Sequence, residues 1–321
     1  MQKFYSRSKS LSVILLAFFI AALITIDNSK ADWRKDIGVF RIGIITSEKS
    51  QEALDRFEPF KLAISEALNL DVEFFRARSA TTLINALADE RIEYAIFSAS
   101  TYALAWVSCE CIEPVVIPRS KDSTDGYHTI LISAPGGPAS LEAVKGNKIG
   151  VLSENSITGV SLAKHLLSEK QIIIGNEETP IIKKETADKT LNAFLADEFK
   201  LLIGWSSMTG DPSTGYSRGS LRQLSRKLSS PVRNFKVLWK SDQIPHRPHV
   251  MRKKLHGDAK NILRNTLLKM NEKDPVAYDS IEPVYGGGFV AGRHERFSQL
   301  ISLIKTQDVQ TKTAEEVLPL Q

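Results

Sequence analysis

Residues 39–75, VFRIGIITSEKSQEALDRFEPFKLAISEALNLDVEFF, decide the fold of this 321-residue chain. The segment opens with a β-branched run over 39–45 and closes with a second apolar run over 71–75. Between them, apolar residues recur at helical spacing from Phe57 to Leu68. A strand, a helix and a strand in this order predict parallel pairing, with the helix packed on the sheet.

The alternation of strand and helix continues along the chain and forms two similar units. The predicted elements are a helix at 81–89 and a strand at 94–97 in the first unit, then strands at 128–133, 148–152 and 199–203 and helices at 159–169 and 188–196 in the second. Such alternation favours ligand binding near the carboxyl ends of the strands. Residues 208–230 are rich in Gly, Ser, Thr and Arg, and are expected to form an irregular surface segment.

The first 31 residues have the pattern of an export signal. Basic residues at Lys3, Arg7 and Lys9 precede an apolar run over 11–26, and Ala31 follows at a position that a signal peptidase reads. The alternative is a retained membrane anchor, but the apolar run of 16 residues is shorter than the roughly 20 that a spanning helix needs. We therefore expect residues 1–31 to be a signal peptide that is removed on export.

Removal of that signal changes the charge of the chain. The full sequence has 42 Lys and Arg against 37 Asp and Glu, a net charge of +5, whereas the chain from residue 32 keeps 38 against 36, a net charge of +2. The basic excess that would favour nucleic acid lies mostly in the signal, so no nucleic-acid partner is expected.

The chain has two cysteines, Cys109 and Cys111, separated by one residue. An oxidising compartment makes a bridge between them a realistic state, but free or buried thiols explain the sequence equally well. A zinc site is disfavoured because no histidine lies nearby in the sequence.

The segment 152–159, LSENSITG, lies between a predicted strand and a predicted helix. Hydroxyl groups and free backbone N–H groups at the start of a helix suit an anionic ligand. The candidate ligand-binding residues here are Ser153, Ser156, Thr158 and Gly159. An ordinary Ser or Thr helix cap accounts for the same residues without a ligand, and the sequence leaves both explanations open.

Two further clusters lie where predicted strands end. Ser98, Ser100, Thr101 and Tyr102 follow the strand at 94–97, and Ser47 follows the strand at 39–45. Small and hydroxylated residues at such a point let a ligand approach the backbone closely. A capped turn is again the alternative.

No catalytic motif marks the candidate residues. Neither Ser153 nor Ser156 lies in a GxSxG elbow, the sequence contains no Walker loop, GxGxxG or HExxH motif, and its six histidines show no triad spacing. We therefore expect a protein that is not an enzyme and that has no catalytic residues, no metal and no cofactor.

The order and spacing of these segments resemble the phosphonate-, phosphite- and phosphate-binding (PhnD-like) proteins of ABC importers, a branch of the type II periplasmic binding proteins. The matching stretches are 40–60, 92–106, 126–132 (GYHTILI), 144–152 (VKGNKIGVL), 156–159 (SITG) and 237–252 (VLWKSDQIPHRPHVMR). The resemblance implies an α/β fold with two lobes, each a mostly parallel sheet with flanking helices, joined by two hinge crossovers. It implies that lobe 1 comprises 32–125 and 242–321, and lobe 2 comprises 126–241.

Position by position, the resemblance assigns ligand contacts to Ser156 and Thr158, which match the hydroxyl donors of the family. Tyr127, in the matching stretch 126–132, is a further candidate, whereas Ile157 stands where the family has a Thr and removes one donor. Other departures fall where relatives have groups that recognise a phosphonate and its amine; they are Ala80, Phe97, Ala187 and Lys200. Fold and role are therefore easier to infer than the ligand.

The role that the resemblance implies is that of a monomeric periplasmic receptor for an ABC importer. It would bind a small oxyanion, phosphonate- or phosphate-like, between the two lobes and dock on a permease in the inner membrane. The alternative is a sensing subunit whose closure is read by a membrane kinase.

Overall fold

The computed structural model describes residues 32–46, 52–229 and 231–317. The predicted signal peptide and the candidate Ser47 lie outside the described residues. The chain divides into two compact units, Met1–Gly38 and Val39–Gln321. The described part of the first unit contains a short helix, α1, at Trp33–Ile37. No helix in the described ranges is both long enough and apolar enough to span a membrane.

The second unit contains strands that assemble into two sheets. In chain order they are β1 Val39–Ile45, β2 Asp71–Ala77, β3 Tyr94–Ile96, β4 Ile112–Ser120, β5 Gly126–Ser133, β6 Ile149–Val151, β7 Ile181–Ile182, β8 Leu201–Ser206, β9 Lys236–Lys240, β10 Ile244–Pro245, β11 His249–Arg252 and β12 Gly286–Ala291.

Helices connect these strands and cover the sheets. In chain order they are α2 Glu52–Asp55, α3 Glu58–Leu68, α4 Ala80–Ala88, α5 Ala99–Cys109, α6 Leu162–Ser168, α7 Ala187–Leu195, α8 Ser220–Leu228, α9 Gly257–Lys273, α10 Pro275–Ile281 and α11 Ser298–Val317. A π-helical turn at Ile157–Ser161 leads directly into α6. Side-chain caps begin several of the helices: Ser79 Oγ accepts from Thr82 N–H before α4, and Ser98 Oγ accepts from Thr101 N–H before α5.

The first sheet has the order β12-β4-β11-β3-β1-β2. The expected parallel core is present, since β1 pairs in parallel with both β2 and β3. The remaining pairs, β3 with β11, β11 with β4 and β4 with β12, are antiparallel.

The second sheet has the order β10-β5-β8-β6-β7, with β9 paired to β5. Here β6 is parallel to β7 and β8, whereas β5 is antiparallel to β8, β9 and β10. Both sheets are therefore mixed, and the prediction of mostly parallel sheets omitted these antiparallel pairs. The reason is topological: β11 and β12 follow the return of the chain from the second sheet, and β11 enters between β3 and β4, antiparallel to both.

The chain passes between the sheets at 121–125 and again at 246–248. These segments adjoin, because His246 N–H donates to Asp125 O at 2.9 Å. Arg296 joins them from the side: its guanidinium makes two 2.9 Å bonds to the Asp125 carboxylate and one of 2.8 Å to Gln243 Oε1. The predicted lobe boundaries near 126 and 241 stay a proposal, and β10 at Ile244–Pro245 belongs to the second sheet.

Apolar clusters lie on the faces of both sheets. One contains Ala95 and Ile117 of the first sheet together with Leu300 of α11. Two others pack on opposite sides of the second sheet, one around Ile132 and the other around Leu131. Alternating strand residues thus serve different cores, as the period of two in a strand requires.

Two local features complete the comparison with the sequence. Cys109 and Cys111 form a disulfide with a Cα–Cα distance of 5.0 Å, which resolves the alternatives left open above. The segment expected to be irregular, 208–230, contains helix α8. That expectation was wrong for α8, because Leu221 and Leu224 supply its buried face while Arg, Ser, Gln and Lys fill the rest.

Candidate functional site

A cleft of about 590 Å³ lies in the second unit and is lined by strand residues of the second sheet and by residues of the connections, including the segment before β12 of the first sheet. The lining residues are Tyr127, Thr129, Leu152, Ser153, Ser156, Thr158, Gly159, Val160, Ala187, Ile203, Gly204, Trp205, Arg218, Gln223, His246, Val284 and Tyr285. Arg218 is the one Lys or Arg among them, and none of these described residues is Asp or Glu. The lining is therefore suited to an anion.

The turn that precedes α6 brings its hydroxyl groups to this cleft. Ser156 is the residue before the π-helical turn, and its Oγ accepts from Gly159 N–H at 3.0 Å. A Cβ on residue 159 would lie 2.8 Å from that oxygen, so glycine permits the close approach. Ser156 thus caps the turn and also lines the cleft, because its own O–H hydrogen remains available for a second partner.

Tyr127 and Thr129 of β5 hold the next hydroxyl in place. Tyr127 O–H donates to Thr158 Oγ1 at 3.2 Å, and Thr129 O–H donates to the backbone oxygen of Thr158. Burial raises the pKa of Tyr127 and outweighs the opposite effect of its bond to Thr158, so its phenol stays protonated at neutral pH. With its oxygen accepting from Tyr127, the Thr158 hydroxyl has a hydrogen to donate to a ligand.

Arg218 lies on the connection between β8 and α8 and is held by residues far away in sequence. Its Nε lies 3.3 Å from Asp122 Oδ2, and its Nη2 donates to Thr124 Oγ1 at 2.8 Å. The Asp122 carboxylate also accepts from Ser217 O–H at 2.6 Å. Burial alone would raise the pKa of Asp122. The hydrogen bonds from Ser217 and Thr124 and the Arg218 charge lower the pKa by more than burial raises it, so the net pKa is about 2.

His246 lies on the second crossover and contacts the same arginine. Its Nδ1 donates to Pro118 O at 3.0 Å, which leaves Nε2 as the acceptor facing Arg218 Nη2 at 3.5 Å. Burial lowers the pKa of His246, with the Arg218 charge acting in the same direction. The imidazole is therefore neutral at pH 7, and Arg218 keeps its role as the positive group of the cleft.

Four rings of the lining form a continuous series, which we name the aromatic wall: Trp205, Tyr127, His246 and Tyr285. Consecutive ring centroids are 5.8, 6.4 and 4.7 Å apart. Trp205 and Tyr127 belong to β8 and β5 of the second sheet, whereas Tyr285 directly precedes β12 of the first. The aromatic wall therefore spans the gap between the two sheets.

The sequence-predicted residues divide into two groups in space. Ser153, Ser156, Thr158, Gly159 and Tyr127 all line the cleft.

The cluster after β3 does not line it. Ser98 caps α5 and shares hydrogen bonds of 3.0 and 2.8 Å with the hydroxyls of Ser100 and Thr101. Tyr102 is fully buried, donates its O–H toward His294 Nδ1 at 2.8 Å and packs on Phe297. The capped-turn alternative describes this cluster.

Ile157, the residue that replaces a donor, has an apolar environment. It packs together with Leu166 against the cluster that contains Phe297 and Leu300. The Ile157 side chain thus packs the turn of the second sheet against helices of the first sheet, and Ile157 is not among the residues that line the cleft.

Sequence reasoning missed the cation and most of the aromatic wall. Arg218 lies in the segment read as irregular, and Trp205 and Tyr285 carry no motif. His246 was not among the predicted site residues. No local pattern identifies them, because the contacts that gather them join residues from 28 to 94 or more positions apart, such as Arg218 with His246 and with Thr124.

Metal binding finds no support in the described ranges, where no group of three or more His, Cys, Asp or Glu residues is arranged to hold an ion. Arg218 and the hydroxyls of Ser156 and Thr158 can donate hydrogen bonds to the charged oxygens of a small molecule.

Comparisons with solved structures agree with this architecture. XAC2383 from Xanthomonas citri bound to ATP has a TM-score of 0.58 at 14% identity, covering 84% of this chain and 98% of that chain. Transferrin 1 from Manduca sexta has a TM-score of 0.54 at 13% identity, covering 87% of this chain and 49% of that chain. At these identities the likeness concerns the two-lobed fold alone.

A lower similarity is found with PhnD1 from Prochlorococcus marinus in complex with methylphosphonate, which has a TM-score of 0.48 at 13% identity and covers 85% of this chain and 99% of that chain. The family model described as ABC transporter, phosphonate, periplasmic substrate-binding protein matches residues 42–297, most of the second unit. The chain therefore belongs to this family of periplasmic substrate-binding components of ABC transporters, which are not enzymes.

Proposed function

We propose that this protein is exported, with residues 1–31 removed, and that it delivers a small oxyanion to an ABC permease of the inner membrane. The observation that carries the proposal is the composition of the cleft, where Arg218 and the hydroxyls of Ser156 and Thr158 are present and none of the described lining residues is Asp or Glu. A charged hydrogen bond of this kind contributes about 1.5 to 3 kcal/mol, so three of them at the upper end of this range reach the roughly 8 kcal/mol that corresponds to micromolar affinity.

The position of the cleft supports a hinged mechanism. Its lining combines β5 and β8 of the second sheet with His246, which lies on the second crossover, and Tyr285, which directly precedes β12 of the first sheet. A ligand that contacts both sides favours the state in which they are close together. The crossovers at 121–125 and 246–248 are the segments about which the sheets would rotate.

A thermal-shift screen tests this function. We expect phosphate, phosphonates, sulfonates or carboxylates to include at least one compound that raises the melting temperature, because a ligand that binds only the folded state stabilises it by mass action. Failure of every oxyanion, together with empty clefts in soaked crystals, would contradict transport and favour a role in protein binding.

The screen is sharpened by a matched pair of variants. Arg218→Gln removes the cleft cation and is expected to weaken the best ligand by about tenfold to hundredfold. Arg222→Gln, on α8, is the control, since Arg222 bonds to Thr214 O and does not line the cleft. Equal losses in both variants would remove Arg218 from the binding site.

A further inference from the structure

The aromatic wall has an area that a bare oxyanion does not use. The faces of aromatic rings carry the negative part of the ring quadrupole, so they do not attract an anion. Tyr127, Trp205 and Tyr285 are nevertheless only partly buried and line the cleft. Part of each ring is therefore accessible to a portion of the ligand that carries no negative charge.

The size of the cleft points the same way. A water molecule occupies about 30 Å³ in the liquid. If each of the five non-hydrogen atoms of phosphate takes the same volume, phosphate fills roughly 150 Å³. The cleft measures about 590 Å³, within the range of pockets that hold larger organic ligands. Apolar lining residues such as Leu152, Ile203 and Val284 accompany the rings.

The charges decide what kind of group lies on the aromatic wall. An ammonium group would also be attracted to ring faces. However, none of the described lining residues is Asp or Glu, so a cation on the aromatic wall would have no partner among them. The Asp122 carboxylate beside Arg218 is already bound by Arg218, Thr124 and Ser217, whereas a neutral flat ring needs no such partner.

Tyr127 connects the two parts of the cleft. Its ring belongs to the aromatic wall, and its O–H donates to Thr158 Oγ1 at 3.2 Å. A ligand whose oxyanion reaches the Thr158 hydroxyl thus has its remainder directed along the rings.

We infer that the ligand is an aromatic or similarly flat, unsaturated oxyanion, whose charged head contacts Arg218, Ser156 and Thr158 and whose ring packs on the aromatic wall. This inference rests on the proposed function and specifies its ligand class.

Isothermal titration calorimetry with four phosphorus oxyanions tests the inference. The probes are phenylphosphonate, methylphosphonate, 2-aminoethylphosphonate and inorganic phosphate, so the head is nearly constant and the attached group varies. We expect phenylphosphonate to bind at least about tenfold more tightly than methylphosphonate, in line with the strength of aromatic contacts. The aminoethyl compound is expected to bind more weakly than phenylphosphonate.

Variants of the aromatic wall separate stacking from general affinity. Tyr285→Leu is expected to reduce the preference for phenylphosphonate over methylphosphonate, whereas Tyr285→Phe keeps it. Trp205→Leu, at a second ring of the aromatic wall, is expected to reduce the same preference and so tests it independently. A cooperative thermal unfolding transition like that of the unmodified protein, followed by circular dichroism, demonstrates that each variant is folded.

The outcomes distinguish the two proposals. If phosphate, methylphosphonate or 2-aminoethylphosphonate binds as tightly as phenylphosphonate, the ligand class is wrong and the oxyanion receptor stands. A phenyl preference that Tyr285→Leu and Trp205→Leu leave unchanged also overturns the inference. Binding of no oxyanion at all overturns both proposals.

Discussion

The Ser156 hydroxyl combines two roles, because it accepts from Gly159 N–H and also lines the cleft. The double variant Ser156→Ala, Thr158→Val is expected to lower the free energy of unfolding by about 1 to 2 kcal/mol, the contribution of a helix cap. The loss of ligand-binding free energy should be larger than this loss of stability, because two donors to an anion are removed. Urea unfolding and calorimetry measure the two effects separately.

Thr101→Val is the matched control for that experiment. Thr101 also belongs to a capped turn, where its hydroxyl bonds to Ser98 Oγ, but it does not line the cleft. A large loss of stability with unchanged affinity in the double variant would mean that Ser156 and Thr158 serve as a cap only.

Asp122 makes stability depend on pH at the acid end. Its pKa in the folded protein, about 2, lies below the ordinary value of 3.8, because hydrogen bonds from Ser217 and Thr124 and the Arg218 charge outweigh burial. A depressed pKa contributes stability above the unfolded pKa, and that contribution disappears as pH falls from 3.8 toward 2. Because the carboxylate is partly exposed, we expect its contribution to the free energy of unfolding to be about 1 to 2 kcal/mol.

Asp122→Asn tests this effect in urea titrations at several pH values. The variant should be less stable than the unmodified protein at pH 7, and the difference should shrink toward pH 2. A difference that stays constant across this range would contradict the assignment.

At the scale of elements, Arg296 joins the two crossovers through Asp125 and Gln243. Arg296→Met is expected to lower the free energy of unfolding by about 1 to 2 kcal/mol, between the values for exposed and buried ion pairs, because both charged groups are partly buried. Chemical denaturation measures the change. Arg293→Met, three residues earlier and exposed, is the control and should change stability by less than about 0.5 kcal/mol.

The elements show which parts of the fold a sequence reveals. β1, α3 and β2 were predictable because their apolar residues follow the strand and helix periods over 39–75. The turn before α6 was predictable for the same reason, and Ser156 and Thr158 came with it. Helix α8 escaped because only Leu221 and Leu224 mark its buried side.

The antiparallel strands and the cation escaped for a different reason. β4, β11 and β12 take their positions from pairing with strands distant in the chain, and Arg218 takes its position from Asp122 and Thr124. Such contacts leave no local period. The family resemblance gave the two-lobed arrangement, but its matching positions do not include Arg218, Trp205 or Tyr285.

In the whole molecule, the proposed function depends on one cleft, whose lining connects the two sheets. Tyr127 and Thr158 contribute from the second sheet and its turn, while Tyr285 contributes from the segment before β12. A ligand that bridges these groups would stabilise the closed arrangement in proportion to its contacts on both sides.

A crystal structure of the protein with phenylphosphonate tests this claim most directly. We expect the phosphonate oxygens to lie within hydrogen-bond distance of Arg218 and of the Ser156 or Thr158 hydroxyl, with the ring against Trp205 or Tyr285. A ligand bound instead beside Ser98 and Thr101, or a cleft that stays empty at saturating ligand, would contradict it.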